Sequence, residues 1–155
     1  MVTARDLPAD RLAVGQLLVR LLYEFRQELI GPAAEHGYAD VRLPHLQIFG
    51  NVGINGIRLT DLASRAQLSM ATTSELVTEL QQLGYLERRP DPADARAKLI
   101  FPTPRGRQAL DDAGDRVAQI EHHWSTLVGQ MRFDHACRTL QDLIDQLNRE
   151  HDGRL

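Results

Sequence analysis

The chain has 155 residues, 43% of them apolar and 25% charged, with a net charge of −3. That length suits one domain with its own buried core, and no apolar run approaches the ~20 residues of a membrane span. A single cysteine, Cys137, excludes an internal disulfide, and no apolar block follows a basic opening segment, so a reducing cytoplasm is the expected compartment.

Residues 1–9 carry no periodic pattern. From Asp10 the pattern turns helical, with Leu12, Leu17, Leu18, Leu21, Leu22, Phe25 and Leu29 forming a broad apolar stripe. Gly31-Pro32 ends it, since proline disfavours helical geometry in the residue before it. The stripe is wider than a small domain needs for its own packing and suits a partner chain as well. Leu43-Pro44 opens a shorter helix, with proline tolerated in the first turn, and Leu46, Phe49 and Val52 supply its inner face. Ile57–Thr60 reads as a short strand. A helix over Asp61–Ala66 follows, capped by Thr60, with Leu62, Ala63 and Ala66 inward. Gln67-Leu68-Ser69 is the three-residue turn of a helix-turn-helix.

Ser69 then offers its hydroxyl to cap the next helix. Thr73, Leu76, Val77, Leu80 and Leu83 recur on one face of it, and Gly84 follows where a left-handed cap suits a residue without Cβ. Tyr85–Arg88 and Lys98–Phe101 read as two strands joined by the polar run Arg89–Arg96. Thr103 or Pro104 starts a long helix carrying Ala109, Leu110, Ala113, Val117, Ile120, Trp124, Leu127 and Met131. Phe133, Cys137, Leu140, Leu143, Ile144 and Leu147 repeat the pattern in a final helix, where Cys137 is expected to be buried and inert. The fold class is mainly α with a small β-hairpin wing.

Charge is unevenly spread. Residues 85–110 carry a net +3, against −4 for residues 111–155 and −2 for residues 1–84. For a polyanion the location of charge matters more than its total. Lys98 is the one lysine among 18 basic residues, and arginine suits bidentate phosphate and guanine contacts.

The stretch LVTELQQLGYLERRPDPADARAKLIFPTPRG, residues 76–106, resembles the MarR-type family of bacterial transcription regulators. The family pattern is a helix ending in L-x-x-x-G-[LY]-[VIL], basic residues, a D-x-x-D-x-R wing and a T-x-x-G helix start. Leu80, Gly84, Tyr85, Leu86, Arg88, Arg89, Asp91, Asp94, Arg96, Thr103 and Gly106 carry it here. Two departures are Glu75, where relatives often have basic or neutral polar residues, and Pro102, in place of a usual leucine at what reads as the end of an edge strand. The resemblance covers roughly residues 10–150. It implies one MarR-like domain over 1–155, with dimerisation helices over 10–36 and 104–150 around a winged helix-turn-helix over 43–103. It also implies a homodimeric regulator, most simply a repressor, on a palindromic stretch of double-stranded DNA.

With Thr73, Leu76, Val77 and Leu80 inward, the recognition helix turns out Met70, Ala71, Thr72, Ser74, Glu75, Thr78 and Glu79. Thr72, Ser74, Glu75 and Thr78 are its candidate base readers. By resemblance Arg96 is a wing-tip arginine for the minor groove, and Asp94 holds the tip. Arg88, Arg89 and Lys98 would neutralise phosphates. The resemblance implies release by a small phenolic or aromatic effector, with Tyr23, Phe25, His45 and Phe49 as pocket candidates. Core packing is the ordinary role of Tyr23, Phe25, Tyr38, Phe49 and Trp124 at these spacings.

Six histidines invite a metal reading, with Glu24, Glu28, Glu35, His36, His45, Glu121, His122 and His123 as possible donors, but no H-x3-H or C-x-x-C pair supports one. No nucleophile–base order, nucleotide loop or zinc-protease motif appears, so neither an enzyme nor a cofactor is expected. The competing reading is a metal- or ligand-sensing winged-helix protein with weak DNA contact.

Overall fold

The structure is a computed structural model, and it describes Thr3 and residues 7–153. Most of the patternless stretch 1–9, and Arg154 and Leu155, lie outside those residues. Two compact units are separated between Gly114 and Asp115.

The first unit opens with α1 (Val14–Ile30), which begins four residues later than its periodicity suggests. The chain then tightens into a 3-10 turn over Gly31–Ala34. α2 (Leu43–Phe49), β1 (Ile57–Arg58), α3 (Leu59–Ala66) and α4 (Met70–Gln82) follow. Next come β2 (Leu86–Asp91), β3 (Asp94–Pro102) and α5 (Pro104–Val128). Thr60 does not cap α3. Arg58 is the cap residue, in extended geometry, because it is still paired with Leu99 of β3 and the strand passes directly into the helix.

α4 has the boundaries and inner face expected of it. Ser69 Oγ accepts from the Thr72 amide at 3.1 Å, a cap whose loss costs about 1 kcal/mol. Thr73, Leu76, Val77 and Leu80 are all buried. At the other end Gly84 has φ +79°, its amide bonds Gln81 O at 3.0 Å, and the Tyr85 amide bonds Leu80 O at 2.8 Å. This is a Schellman closure, which needs a left-handed residue after the helix. Between α3 and α4, Gln67 also adopts a left-handed conformation (φ 54°), which no glycine had announced.

The sheet has the order β1-β3-β2, with both pairings antiparallel. The hairpin strands are longer than their apolar residues suggest. Most of the charged run is strand, closed by a two-residue turn at Pro92-Ala93 between the paired Asp91 and Asp94. The outer half of the wing reaches beyond the core and has no apolar face to bury, so it lacks the alternation that marks a strand. Pro90 lies on edge strand β2, where a missing N–H is tolerated. Pro102 is on the central strand β3 rather than an edge strand, but it lies past the end of β1 and pairs only with Leu86.

The core of this unit gathers Ile48, Phe49, Val52, Ile57, Leu62, Leu76, Val77, Leu80, Tyr85, Leu86 and Ile100. Ile48 and His45, rather than Leu46, complete the buried face of α2. α1 buries no residue, and Leu17, Leu18, Leu21, Leu22 and Tyr23 are exposed.

The second unit holds the rest of α5 and then α6 (Gln130–Asp152), with the break at Gly129. Met131 therefore belongs to α6 and is exposed. Leu140, Leu143, Ile144 and Leu147 form an exposed apolar row on α6. Cys137 is exposed too, correcting the expectation of a buried thiol.

Candidate nucleic-acid interface

Thr72, Glu75 and Thr78 are exposed along α4, and Ser74 is half-buried. The Thr72 hydroxyl lies 2.8 Å from Ser69 Oγ, and Thr78 donates to the Ser74 carbonyl at 2.8 Å. The Thr78 hydroxyl proton is therefore committed to its own helix, while the Thr72 hydroxyl stays against the cap residue. Glu79, which periodicity places outward, is drawn toward α2. Its carboxylate takes an ion pair from Arg42 and a 2.9 Å hydrogen bond from His45 Nε2. The Arg42 amide donates to His45 Nδ1 at 3.1 Å, which leaves the ring proton on Nε2 to donate to Glu79. His45 and then Arg42 hold the Glu79 carboxyl below the usual carboxylate range. Glu75 is left as the single acidic residue on the exposed side of α4.

The wing is built on two aspartates that each bind the backbone two residues on, the usual turn chemistry of this side chain. Asp91 Oδ1 accepts from the Ala93 amide at 2.8 Å, and Asp94 Oδ1 accepts from the Arg96 amide at 3.0 Å. Asp91 is itself buried, and its other oxygen takes Arg58 Nε at 2.9 Å and Nη2 at 2.6 Å. The Ala93 amide and then Arg58 depress its pKa. Arg58, on β1, is the site residue that sequence reasoning missed, since nothing local connects it to a residue 33 positions away. The D-x-x-D-x-R pattern thus has a mechanical meaning here. One aspartate closes the turn, the second sets the backbone at its exit, and the Arg96 side chain is presented to solvent.

Strand alternation divides the other basic residues. Arg88 shares the inner face with Leu86 and bonds Gln81 on α4, with its Nη2 also 3.5 Å from Thr78 Oγ1. Arg89 faces the opposite way, pairing with Glu87 and lying 4.8 Å over the Phe101 ring. Lys98 is exposed. Arg88, Thr78 and α4 are thus brought together, while Arg89, Lys98 and Arg96 lie on the wing.

The T-x-x-G start of α5 is tied to the end of α4. Thr103 Oγ1 caps the Gly106 amide at 3.1 Å and reaches Gly84 O at 2.6 Å, and the Thr103 amide donates to Tyr85 O at 2.9 Å. Gly106 lies against the Tyr85 carbonyl, where a Cβ would collide with backbone.

The four pocket candidates do not share one environment. Phe49 packs edge-on to Tyr85 with ring centroids 5.5 Å apart, and His45 has both ring nitrogens engaged. Tyr23 is exposed on α1 and Phe25 half-buried. A cavity of about 420 Å³ lies elsewhere, lined by Gly53, Asn55, Gly56, Arg58, Asp61 and Arg65 among others. Among the described residues no group of three or more His, Cys, Asp or Glu could hold a metal ion, and no helix is long and apolar enough to cross a membrane.

A capped helix-turn-helix followed by the basic hairpin β2–β3, with β1 completing the sheet, has the plan of a winged helix. Residues 39–97, the segment that holds the helix-turn-helix and most of the wing, match the MarR family. Curated proteins give no match to the sequence. Solved structures share the fold. The MepR–DNA complex of S. aureus is 16% identical, with a TM-score of 0.70, covering 88% of this chain and 99% of that one. The transcriptional repressor CouR, bound to a 23-mer DNA duplex, is 21% identical, with a TM-score of 0.66 and coverage of 85% and 92%. The transcriptional regulator Tm0710 of Thermotoga maritima is 20% identical, with a TM-score of 0.58 and coverage of 89% and 96%.

Proposed function

We propose that the protein is a cytoplasmic homodimeric repressor that occupies a palindromic operator and is released by a small phenolic or aromatic effector. The presentation of Arg96 carries the reading. Its backbone is fixed by Asp94, the turn before it by Asp91 and Arg58, and its guanidinium faces solvent at the end of a basic hairpin. In this reading Arg96 enters a narrow minor groove, where negative potential is concentrated. α4 lies in the adjacent major groove with Thr72, Ser74, Glu75 and Thr78 toward the bases, and Arg88, Arg89 and Lys98 meet phosphates. The exposed apolar rows of α1 and α6 support dimerisation, because a second copy would remove them from water. The effector would act by binding better to a dimer whose two reading heads are wrongly spaced, and it can shift the balance only by that difference in affinity.

Fluorescence anisotropy on the DNA flanking the protein's own gene tests this. Arg96→Ala should weaken binding by about tenfold or more, as expected for loss of one groove contact. Sedimentation should still show a dimer. Binding by the unaltered protein should fall steeply with salt as phosphate contacts release counterions. Unchanged affinity in Arg96→Ala would overturn the wing assignment.

A further inference from the structure

Tyr85 stands at the position after Gly84, and its ring is wholly buried while its hydroxyl enters a polar cluster. That hydroxyl donates to Asp40 Oδ1 at 2.6 Å and accepts from Arg105 Nη2 at 2.9 Å. Arg105 Nη2 also meets Asp40 Oδ2 at 3.1 Å, which closes a triangle of three side chains. Arg105 Nη1 donates to Leu83 O at 2.6 Å, and its guanidinium lies 4.2 Å over the Tyr85 ring. Beside this triangle Tyr38, tilted against Tyr85 at 6.3 Å, donates to Asp112, which also accepts from Gln108 at 2.9 Å. The participants come from three places: the segment before α2 (Tyr38, Asp40), the C-cap of α4 (Leu83, Tyr85), and the first turns of α5 (Arg105, Gln108, Asp112).

Hydrophobic contact is non-directional and lets packed helices rotate or slide at small cost. Charge-assisted hydrogen bonds and a planar guanidinium are directional and do not. Thr103 alone separates β3 from α5, so this cluster crosses the joint where the reading unit leaves for its supporting helix. Arg105 also donates to a carbonyl at the C-terminus of α4, where a cation complements the helix dipole.

We propose that Tyr85, Arg105 and Asp40 are positioning residues that lock α4 to the start of α5 and thereby set the half-site spacing the dimer accepts. The proposal rests on the dimeric operator reading above. Phenylalanine at position 85 would keep the ring against Phe49 and remove only the hydroxyl. Lysine at position 105 would keep the charge but could not span Leu83, Tyr85 and Asp40 together.

The test begins with duplexes that the unaltered full-length protein selects from a random-sequence library. The spacer between half-sites is then lengthened or shortened by one and two base pairs. The unaltered protein should prefer its selected spacing by about tenfold, an ordinary size for coupling between two sites. Tyr85→Phe and Arg105→Lys should flatten that preference to within about twofold, with the dimer intact by sedimentation and affinity for a single half-site retained. A merely structural role would instead lower affinity by one factor at every spacing. That result, or an unaltered spacing profile in both variants, overturns the proposal alone. If the unaltered protein selects no paired half-sites, the dimeric operator reading fails and this proposal fails with it.

Discussion

Gly106→Ala sets two effects of opposite sign against each other. Gly106 is the third residue of α5, and helix propensity alone favours alanine there by roughly 0.5–1 kcal/mol. The structure argues the reverse. An added Cβ would sit 3.0 Å from the carbonyl carbon of Tyr85 and closer still to its oxygen, with Pro102 Cβ at 3.3 Å. The obstacle is backbone, which cannot swing aside as a side chain would. Relief requires the first turn of α5 to retreat from the α4 cap. That movement stretches the Thr103 bonds to Tyr85 O and Gly84 O and the Arg105 bond to Leu83 O. At about 1 kcal/mol each the three outweigh the propensity gain, for a net loss of about 2 kcal/mol. That is a large share of the roughly 5–15 kcal/mol holding an ordinary domain together. Gly114→Ala is the control within the same helix: a Cβ there meets nothing within 4 Å, and the substitution should stabilise by roughly 0.5–1 kcal/mol. Urea unfolding at one fixed protein concentration measures both, since a dimer's stability depends on concentration. Equal or greater stability of Gly106→Ala would refute the reasoning about the α4–α5 joint.

What the sequence made legible is what local chemistry encodes. Ser69, Gly84 and the inward set of α4 follow from capping and periodicity, and each occurs where expected. Asp94 at the wing tip is suggested by resemblance, and its bond to the amide two residues on is a local device. Long-range polar pairing was not legible. Glu79 reads as an outward residue until Arg42, 37 positions earlier, and His45 turn it aside. Asp91 reads as one more wing charge until Arg58 makes it a buried anchor. Tyr85 fits the family pattern as an apolar residue, and only its contact with Asp40, 45 positions earlier, reveals the use of its hydroxyl. The length of the wing strands escaped for a different reason. Their pairing comes from backbone hydrogen bonds, and solvent-facing strands leave no hydrophobic alternation to read.

Three further outcomes are expected. Ser69→Ala removes the bond to the Thr72 amide and should cost about 1 kcal/mol in urea unfolding; no loss would mean that the α4 cap is satisfied by water. Asp91→Ala should loosen the wing without opening the core. Amide exchange at Ala93 and Arg96 should accelerate and DNA affinity should fall, while exchange at Leu80 and Ile100 stays slow; an unaltered wing would show that Asp94 suffices. Stability should also decline at both ends of the pH scale. Four carboxyls lie below their ordinary range. For Asp40 burial pushes upward, but the Tyr85 hydroxyl and Arg105 outweigh it. Glu79 is held down by His45 and Arg42, Asp91 by the Ala93 amide and Arg58, and Asp112 by Tyr38 and Gln108. A depressed carboxyl contributes stability above its unfolded pKa and loses it as pH falls through the folded value, so the loss begins below about pH 4. Tyr38 works in the opposite sense. Its hydrogen bond to Asp112, with burial second, raises it from 10.0 to about 12, so its contribution is complete below pH 10 and is lost as pH climbs through about 12. The comparison that isolates Tyr38 is Tyr38→Phe. That variant should be less stable at neutral pH and should lose less than the unaltered protein between pH 10 and 12. Parallel alkaline curves for the two proteins would mean that the Tyr38–Asp112 bond contributes nothing to holding α5 in place.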